Sequence, residues 1–337
     1  MPTIKDVARL AGVSTATVSH VINGTRYVSQ ELYTRVTEAM ERLKYHPNRL
    51  AQSLRSGETK SIGLIVPDNS NPFFCEVARI CEDVGFQNGY NVFLCNSDDS
   101  VEKESAYINM LIAKQIDGLI LISSGSDSTA LRELARLNIP VVITDRDSPR
   151  LAYDRVLVNN QRGGYQATRH LIELGHRRIA CISGPEKMLT SQQRVNGYRR
   201  ALKEAGIAAH PKYLLHGDFR FQSGEDAMQQ LLLVDPRPTA VFACNDLMAI
   251  GALRALHRAG LQAPEQLSLI GFDNISFASV VVPALTSIAH PVKELAQTSM
   301  KLLLDHIKNS DHKRKARRVV LDPCLVERDS CAPLGVK

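Results

Sequence analysis

The stretch Thr3-Ile-Lys-Asp-Val-Ala-Arg-Leu-Ala-Gly-Val-Ser-Thr-Ala-Thr-Val-Ser-His-Val-Ile-Asn23 sets the reading of the N-terminus. Ile4, Val7, Ala8 and Ala11 recur at helical spacing and predict a short amphipathic helix. Gly12 breaks it, and Ser14 can cap a second helix by accepting a bond from a free backbone N–H. That helix carries Val18, Val21 and Ile22 on one face. At about 100° per residue, Ala16 and His20 point the opposite way, flanked by Thr17, Ser19 and Asn23. A third helix is expected after Ser29, with Leu32, Val36, Met40 and Leu43 closing a small core. Helix, glycine turn and helix with a small, polar outer face is the helix-turn-helix arrangement. Short side chains on such a face let the helix approach base edges in a major groove.

A three-helix packing unit without a ligand would show the same periodicity, so charge has to separate the two readings. Of the 337 residues, 41 are Lys or Arg and 35 Asp or Glu, a net charge of +6. Residues 1–60 hold nine of the basic side chains against five acidic ones, so most of the excess sits on a small head. A basic head on a nearly neutral body points to a polyanion partner for the head. Next comes a linker with its own logic. Pro47 is preset for a first helical turn and Gly57 for a stop. Leu50, Ala51 and Leu54 form an apolar stripe flanked by Arg49 and Arg55. A helix of about ten residues is marginal alone in water, so it should order against a partner.

These residues, together with Tyr45-His-Pro-Asn-Arg-Leu-Ala-Gln-Ser-Leu-Arg-Ser-Gly57, resemble the N-terminal signature of the LacI/GalR family of bacterial transcriptional regulators, and the resemblance extends over nearly the whole chain. It implies that Thr15, Ala16 and His20 lie on a base-reading helix, with Thr17, Ser19, Asn23 and Tyr45 near phosphates or bases. Arg26 and Arg55 complete the expected DNA-binding set. It also implies that the linker helix pairs with its twin in the minor groove, where Leu54 would wedge into the central base step.

From Ser61 the periodicity changes. Ile62–Val66, Asn91–Leu94, Gly118–Ile122 and Val141–Ile143 are short apolar runs separated by helical stretches near 73–88, 102–114 and 128–137. A second series follows at 178–182, 213–215, 239–243 and 267–270. Apolar strands alternating with helices predict parallel sheets covered on both faces, here two similar α/β lobes. The expected division is a helix-turn-helix domain at 1–46, a hinge at 47–60 and a two-lobed body at 61–337, with crossings between lobes near 160, 290 and 322.

Open sheets of this kind bind ligands beyond the carboxyl ends of their strands. The residues there are Asn71, Phe73 and Phe74 after the first strand and Asp145 and Arg146 after the fourth. Arg194, Phe219, Asn245 and Asp273 lie in the second lobe, and His290 follows a late crossover strand. Flat apolar faces can stack on a sugar ring, while carboxylates, amides and guanidiniums pair its hydroxyls. Singly, each has a bland explanation: Asn245-Asp246 as a helix cap, Asp273-Asn274 as a turn, Phe73 and Phe74 as core. Their joint occurrence at strand ends favours a site.

The body resembles the periplasmic sugar-binding proteins, and most narrowly the ribose-binding type, whose pentose contacts fall on these positions. Two residues depart from that type: His290 stands where a Gln is expected and Ser123 where an Asn is expected. Either could shift preference to another sugar, and His290 would be an extra cation for an acidic one. The head is most similar to those of ribose and purine repressors. Met188 replaces an Arg that would hold a purine, which sets purine below ribose.

No G-x-S-x-G elbow, H-E-x-x-H, P-loop or G-x-G-x-x-G occurs, so an enzyme is disfavoured. Asp98-Asp99 is read as a solvated turn. The seven cysteines include no C-x-x-C pair and read as reduced packing thiols, so no metal or cofactor is expected. The N-terminus lacks an export signal, which argues against a transport binding protein and for the cytoplasm. Lys313–Arg318 is read as a solvated basic loop. The C-terminal tail lacks leucine heptads, so a homodimer, not a tail-assembled tetramer, is expected.

Overall fold

The computed structural model describes residues 2–24, 26–45, 58–123, 129–147, 153–309 and 315–335. The predicted hinge helix with Leu54 and Arg55 lies outside them. The chain divides into two compact units, Met1–Thr59 and Lys60–Lys337.

In the first unit, helices α1 (Ile4–Ala11), α2 (Thr15–Asn23) and α3 (Gln30–Arg42) enclose Val7, Ala8, Ala11, Val18, Val36 and Ala39. The Asp6 carboxylate accepts from the Thr3 backbone N–H (2.9 Å) and hydroxyl (2.7 Å), fixing the start of α1. Ser14 caps α2 as predicted, accepting from the Thr17 N–H at 3.1 Å. Gly12 turns the chain with φ +64°, a left-handed conformation that costs other residues energy. Arg35 from α3 closes this turn, donating to the Ala11 carbonyl at 2.6 Å. Its Nη2 lies 2.6 Å from where a Gly12 Cβ would be, so a side chain at position 12 would push the end of Arg35 aside as well as strain the φ.

The second unit holds two six-stranded sheets. The first, in order β11-β5-β4-β3-β1-β2, uses Ser61–Val66 (β1), Asn91–Asn96 (β2), Gly118–Leu121 (β3), Val141–Asp145 (β4), Asp154–Val158 (β5) and Arg318–Leu321 (β11). All its pairings are parallel. The second, in order β12-β10-β9-β8-β6-β7, uses Ile179–Ser183 (β6), Leu214–His216 (β7), Ala240–Ala243 (β8), Ser268–Asp273 (β9), Thr286–Ala289 (β10) and Cys324–Val326 (β12). Only the β10–β12 edge is antiparallel. The helices are α4 (Pro72–Gln87), α5 (Val101–Ala113), α6 (Thr129–Arg136), α7 (Asn160–Glu173), α8 (Leu189–Glu204), α9 (Phe221–Leu232), α10 (Asp246–Arg258) and α11 (Val292–Lys308).

Every residue of β1, β3, β4, β6, β8, β9 and β10 is buried, as expected of strands covered on both faces. β2 differs from the sequence expectation. As an edge strand it leaves Phe93 and Leu94 exposed, and Phe86 near the end of α4 is more exposed still. The chain passes between sheets three times: from β5 to α7, from β10 to α11, and from β11 to β12. Cys81, Cys95, Cys181 and Cys244 are buried, whereas Cys75 and Cys324 are exposed.

Candidate functional site

Where the strands end, the two lobes line a small, partly open cavity of about 30 Å³. It is lined by Asn71, Phe73, Phe74, Asp145, Arg146, Thr190, Arg194, Phe219, Asn245 and Asp273. Nine of the eleven effector candidates therefore converge, although they come from six separate strand ends and helix starts. Asn71 and Asn245 are helix caps as well as lining residues: their Oδ1 atoms accept from the Phe73 and Met248 N–H groups, both at 3.0 Å. The Asn245 amide also donates to the Phe219 carbonyl at 2.8 Å. Phe73 and Phe74 belong both to the lobe core and to the cavity wall, packed edge-on with centroids 5.0 Å apart.

Three lining residues hold left-handed backbone without being glycine: Asp145 (φ 64°), Phe219 (φ 68°) and Asp273 (φ 104°). Such conformations cost of order 1–3 kcal/mol each and cluster at functional sites. Strain at these three positions re-aims each side chain as its strand or loop ends.

Arg194 is the organising group. Its Nε donates to Asn160 Oδ1 (2.8 Å), Nη1 to the Cys244 carbonyl (2.5 Å) and to Asp273 Oδ1 (3.4 Å), and Nη2 to His290 Nε2 (3.1 Å). The guanidinium lies 3.7 Å from the centroid of the Phe272 ring. One Nη2 hydrogen is left for a ligand, since a guanidinium carries five. Gly164 makes room for this start of α8: a Cβ there would come within 2.1 Å of the Arg194 carbonyl oxygen.

His290 behaves otherwise than the sequence suggested. Its side chain is fully buried, and burial, with the Arg194 charge adding, pushes its pKa well below the usual histidine range. It is therefore neutral, not an added cation. It sits beside the cavity behind Arg194, whose donation to Nε2 leaves the ring hydrogen on Nδ1. That Nδ1 has no partner and faces Asp145 Oδ1, equally without one, at 4.0 Å. A buried donor and acceptor left open side by side fit a group that both gives and takes a hydrogen bond.

Burial also raises the Asp145 carboxyl, opposed by the charges of Arg194 and then Arg146. Asp273 is pushed well above the carboxylate range by burial; Arg194 opposes this, and Asp246 and Asp145 add to it. Ser123 is buried but does not line the cavity. Thr190 and Asn160 were not singled out from sequence, and Asp99 was read only as part of a solvated turn. Thr190 lines the cavity near the start of α8, Asn160 holds Arg194, and Asp99 bonds Arg146. The Asp98-Asp99 turn is exposed, as its reading as solvated expects, and Asp99 also ties it to the site.

In the first unit, Thr15, Ala16, Asn23 and Arg26 are exposed, and Thr17, Ser19 and His20 half-buried. Asn23 folds back onto α2, donating to the Ser19 carbonyl and hydroxyl. Tyr45 packs against the three-helix core. Tyr27, which sequence reasoning passed over, is 94% exposed between α2 and α3. An aromatic between polar turn residues was the available signal.

Residues 59–326 match the periplasmic binding proteins and sugar binding domain of LacI family, and residues 3–48 match the bacterial regulatory proteins of the lacI family. The chain is 42% identical over 335 residues to the HTH-type transcriptional repressor PurR of Aliivibrio fischeri, covering 98% of each. It is 41% identical over 330 residues to the ribose operon repressor of Haemophilus influenzae, again covering 98% of each. A solved LacI family transcriptional regulator from Enterococcus faecium with bound ribose is 36% identical with a TM-score of 0.75, covering 81% of this chain and 99% of that one.

Proposed function

Because the chain belongs to the lacI family of bacterial regulatory proteins, we propose that its operator affinity is set by a pentose, D-ribose, held between the two lobes. The observation that carries this reading is the unpartnered pair of Asp145 Oδ1 and His290 Nδ1, 4.0 Å apart beside a cavity walled by Phe73, Phe74 and Phe219. A sugar hydroxyl can accept from one and donate to the other, while its neighbours meet Arg194, Asp273 and Asn245. The phenyl faces take the ring's C–H surface. The ribose operon repressor and the ribose-bound regulator among its relatives agree with this choice.

A purine is the second reading, favoured by the PurR relative at nearly equal identity. Met188, at the N-cap of α8 and two residues before the cavity-lining Thr190, has a side chain without a hydrogen-bond donor. A purine carbonyl arriving there would lose a partner.

On DNA the reading is a homodimer on a palindromic operator. Thr15, Ala16 and His20 would read bases, Thr17, Ser19, Asn23, Arg26, Tyr45 and Arg55 would serve phosphates and flanking bases, and Leu54 would open the centre. A pairing surface is available in the exposed Phe86, Phe93 and Leu94 of one lobe and Phe277, Val280 and Val282 of the other. Calorimetry of the purified full chain against D-ribose and hypoxanthine tests the effector. Saturable binding of ribose and none of hypoxanthine is expected; the reverse would overturn the pentose reading and leave the purine one.

A further inference from the structure

The loop after β2 carries Asp98 and Asp99, both in left-handed backbone (φ 53° and 57°). It is held by its own bonds. Asn96 donates to Asp98 and accepts from the Asn69 N–H at 2.7 Å, and Lys103 reaches Asp98 from α5. With Asp98 so engaged, Asp99 is aimed elsewhere. Its carboxylate accepts from the Arg146 Nη1, joining a side chain 40% exposed to one only 9% exposed. Arg146 in turn lies 5.5 Å from the centroid of Phe74 and lines the cavity.

The cations around the cavity are therefore all engaged among the described residues. Arg194 is divided between Asn160, the Cys244 carbonyl, Asp273 and His290. His290 is neutral. At the rim, the Asp98 carboxyl is held below its ordinary range chiefly by its bond to Lys103, with the charge of Arg220 adding. An anionic ligand would have to displace Asp99 from Arg146 or lie beside Asp145 and Asp273 without a counter-charge. Leaving a buried charge unpaired is strongly unfavourable.

We propose that Asp99 is a specificity-determining residue that acts by positioning and neutralising Arg146, so that the cavity takes an uncharged polyhydroxyl effector and rejects its phosphorylated or carboxylate counterparts. The inference rests on the sugar reading for the effector class but concerns a residue outside the cavity lining. With Asp99 in place, Arg146 presents its remaining donors to hydroxyls. Without that carboxylate, the same guanidinium is a free fork for a phosphate.

The test is calorimetry of the full chain and of Asp99→Asn and Asp99→Glu against D-ribose, D-ribose 5-phosphate and inorganic phosphate. The wild type should prefer ribose over its 5-phosphate by at least about 100-fold. Asp99→Asn should narrow that preference at least tenfold and acquire inorganic phosphate binding, and Asp99→Glu should restore the wild-type pattern. A wild type that binds the two sugars within tenfold of each other overturns the proposal. So does an Asp99→Asn variant whose preference moves less than threefold while ribose still binds. If no sugar binds any form but Asp99→Asn alone takes up phosphate, the pentose reading fails and the role of Asp99 stands. If no sugar binds and phosphate uptake is also unchanged, both fail.

Discussion

Replacing Asp145 by Asn keeps the shape of a buried lining residue and removes one charge. The carboxylate feels the charges of Arg194 and Arg146, and its Oδ1 is buried without a partner beside His290 Nδ1. A hydrogen bond to an ionised group contributes about 1.5–3 kcal/mol and a neutral one about 0.5–1.5. If the carboxylate serves two ligand hydroxyls, the exchange costs about 2–3 kcal/mol, or roughly 30- to 150-fold in ribose affinity. Stability should move the other way. Burial raises the Asp145 carboxyl despite both guanidiniums, so its ionised form is a burden on the folded state at neutral pH. The variant without ligand should melt at the same temperature as wild type or higher. Calorimetry with ribose and thermal unfolding of both forms make the comparison. Ribose affinity changed by less than threefold, or a lowered melting temperature, would refute this view of Asp145 as a ligand carboxylate held at the expense of stability.

Three further outcomes follow from other parts of the molecule. His290→Gln keeps an acceptor for Arg194 and a donor toward the effector, so ribose affinity should stay within about fivefold. His290→Phe, which leaves a buried guanidinium N–H unpaired, should lose about 1–3 kcal/mol; equal losses in both, measured by calorimetry, would contradict the assignment. Gly12→Ala forces left-handed backbone and displaces Arg35 from the Ala11 carbonyl, which should destabilise the three-helix unit by about 2–4 kcal/mol. DNA binding by gel shift should fall while ribose binding is unchanged, and unaltered DNA binding would contradict the turn's role. Asp246 is pushed up to about 7 by burial, from an ordinary value of 3.8. Between those values the folded chain holds a proton that the unfolded chain has released, so this contribution to stability is full below about pH 4 and is lost as pH rises toward 7. Denaturation of wild type and Asp246→Asn from pH 5 to 7 should show wild type losing ground by up to about 1.4 kcal/mol per pH unit, and parallel curves would exclude it.

What the sequence revealed is what local periodicity can carry. Ser14 and Ser29 announced their helices, and the all-apolar runs of β1, β3 and β4 announced a doubly covered parallel sheet. Asp145, Phe219 and Asp273 were visible as site candidates because topology alone places strand ends at a cleft. Their backbone strain was not visible, since it is a property of the folded chain. Contacts between distant segments were also hidden. Asn160 lies 34 positions from Arg194, Asp99 47 from Arg146 and Arg35 24 from Ala11. None is marked by spacing. The charge of His290 was misjudged for a related reason: its protonation is set by burial and by Arg194, and a sequence shows neither. β2 misled because an edge strand and a central one share the same apolar run.

The proposed regulation requires that the cavity and the DNA-binding head be coupled through one chain. Operator affinity should be followed by fluorescence anisotropy on a palindromic site selected with the full chain, with and without saturating D-ribose. A coupling of about 1–3 kcal/mol predicts a 5- to 150-fold change in operator affinity, with a reciprocal change in ribose affinity on DNA. Identical operator affinity at ribose concentrations that saturate the cavity by calorimetry would contradict it.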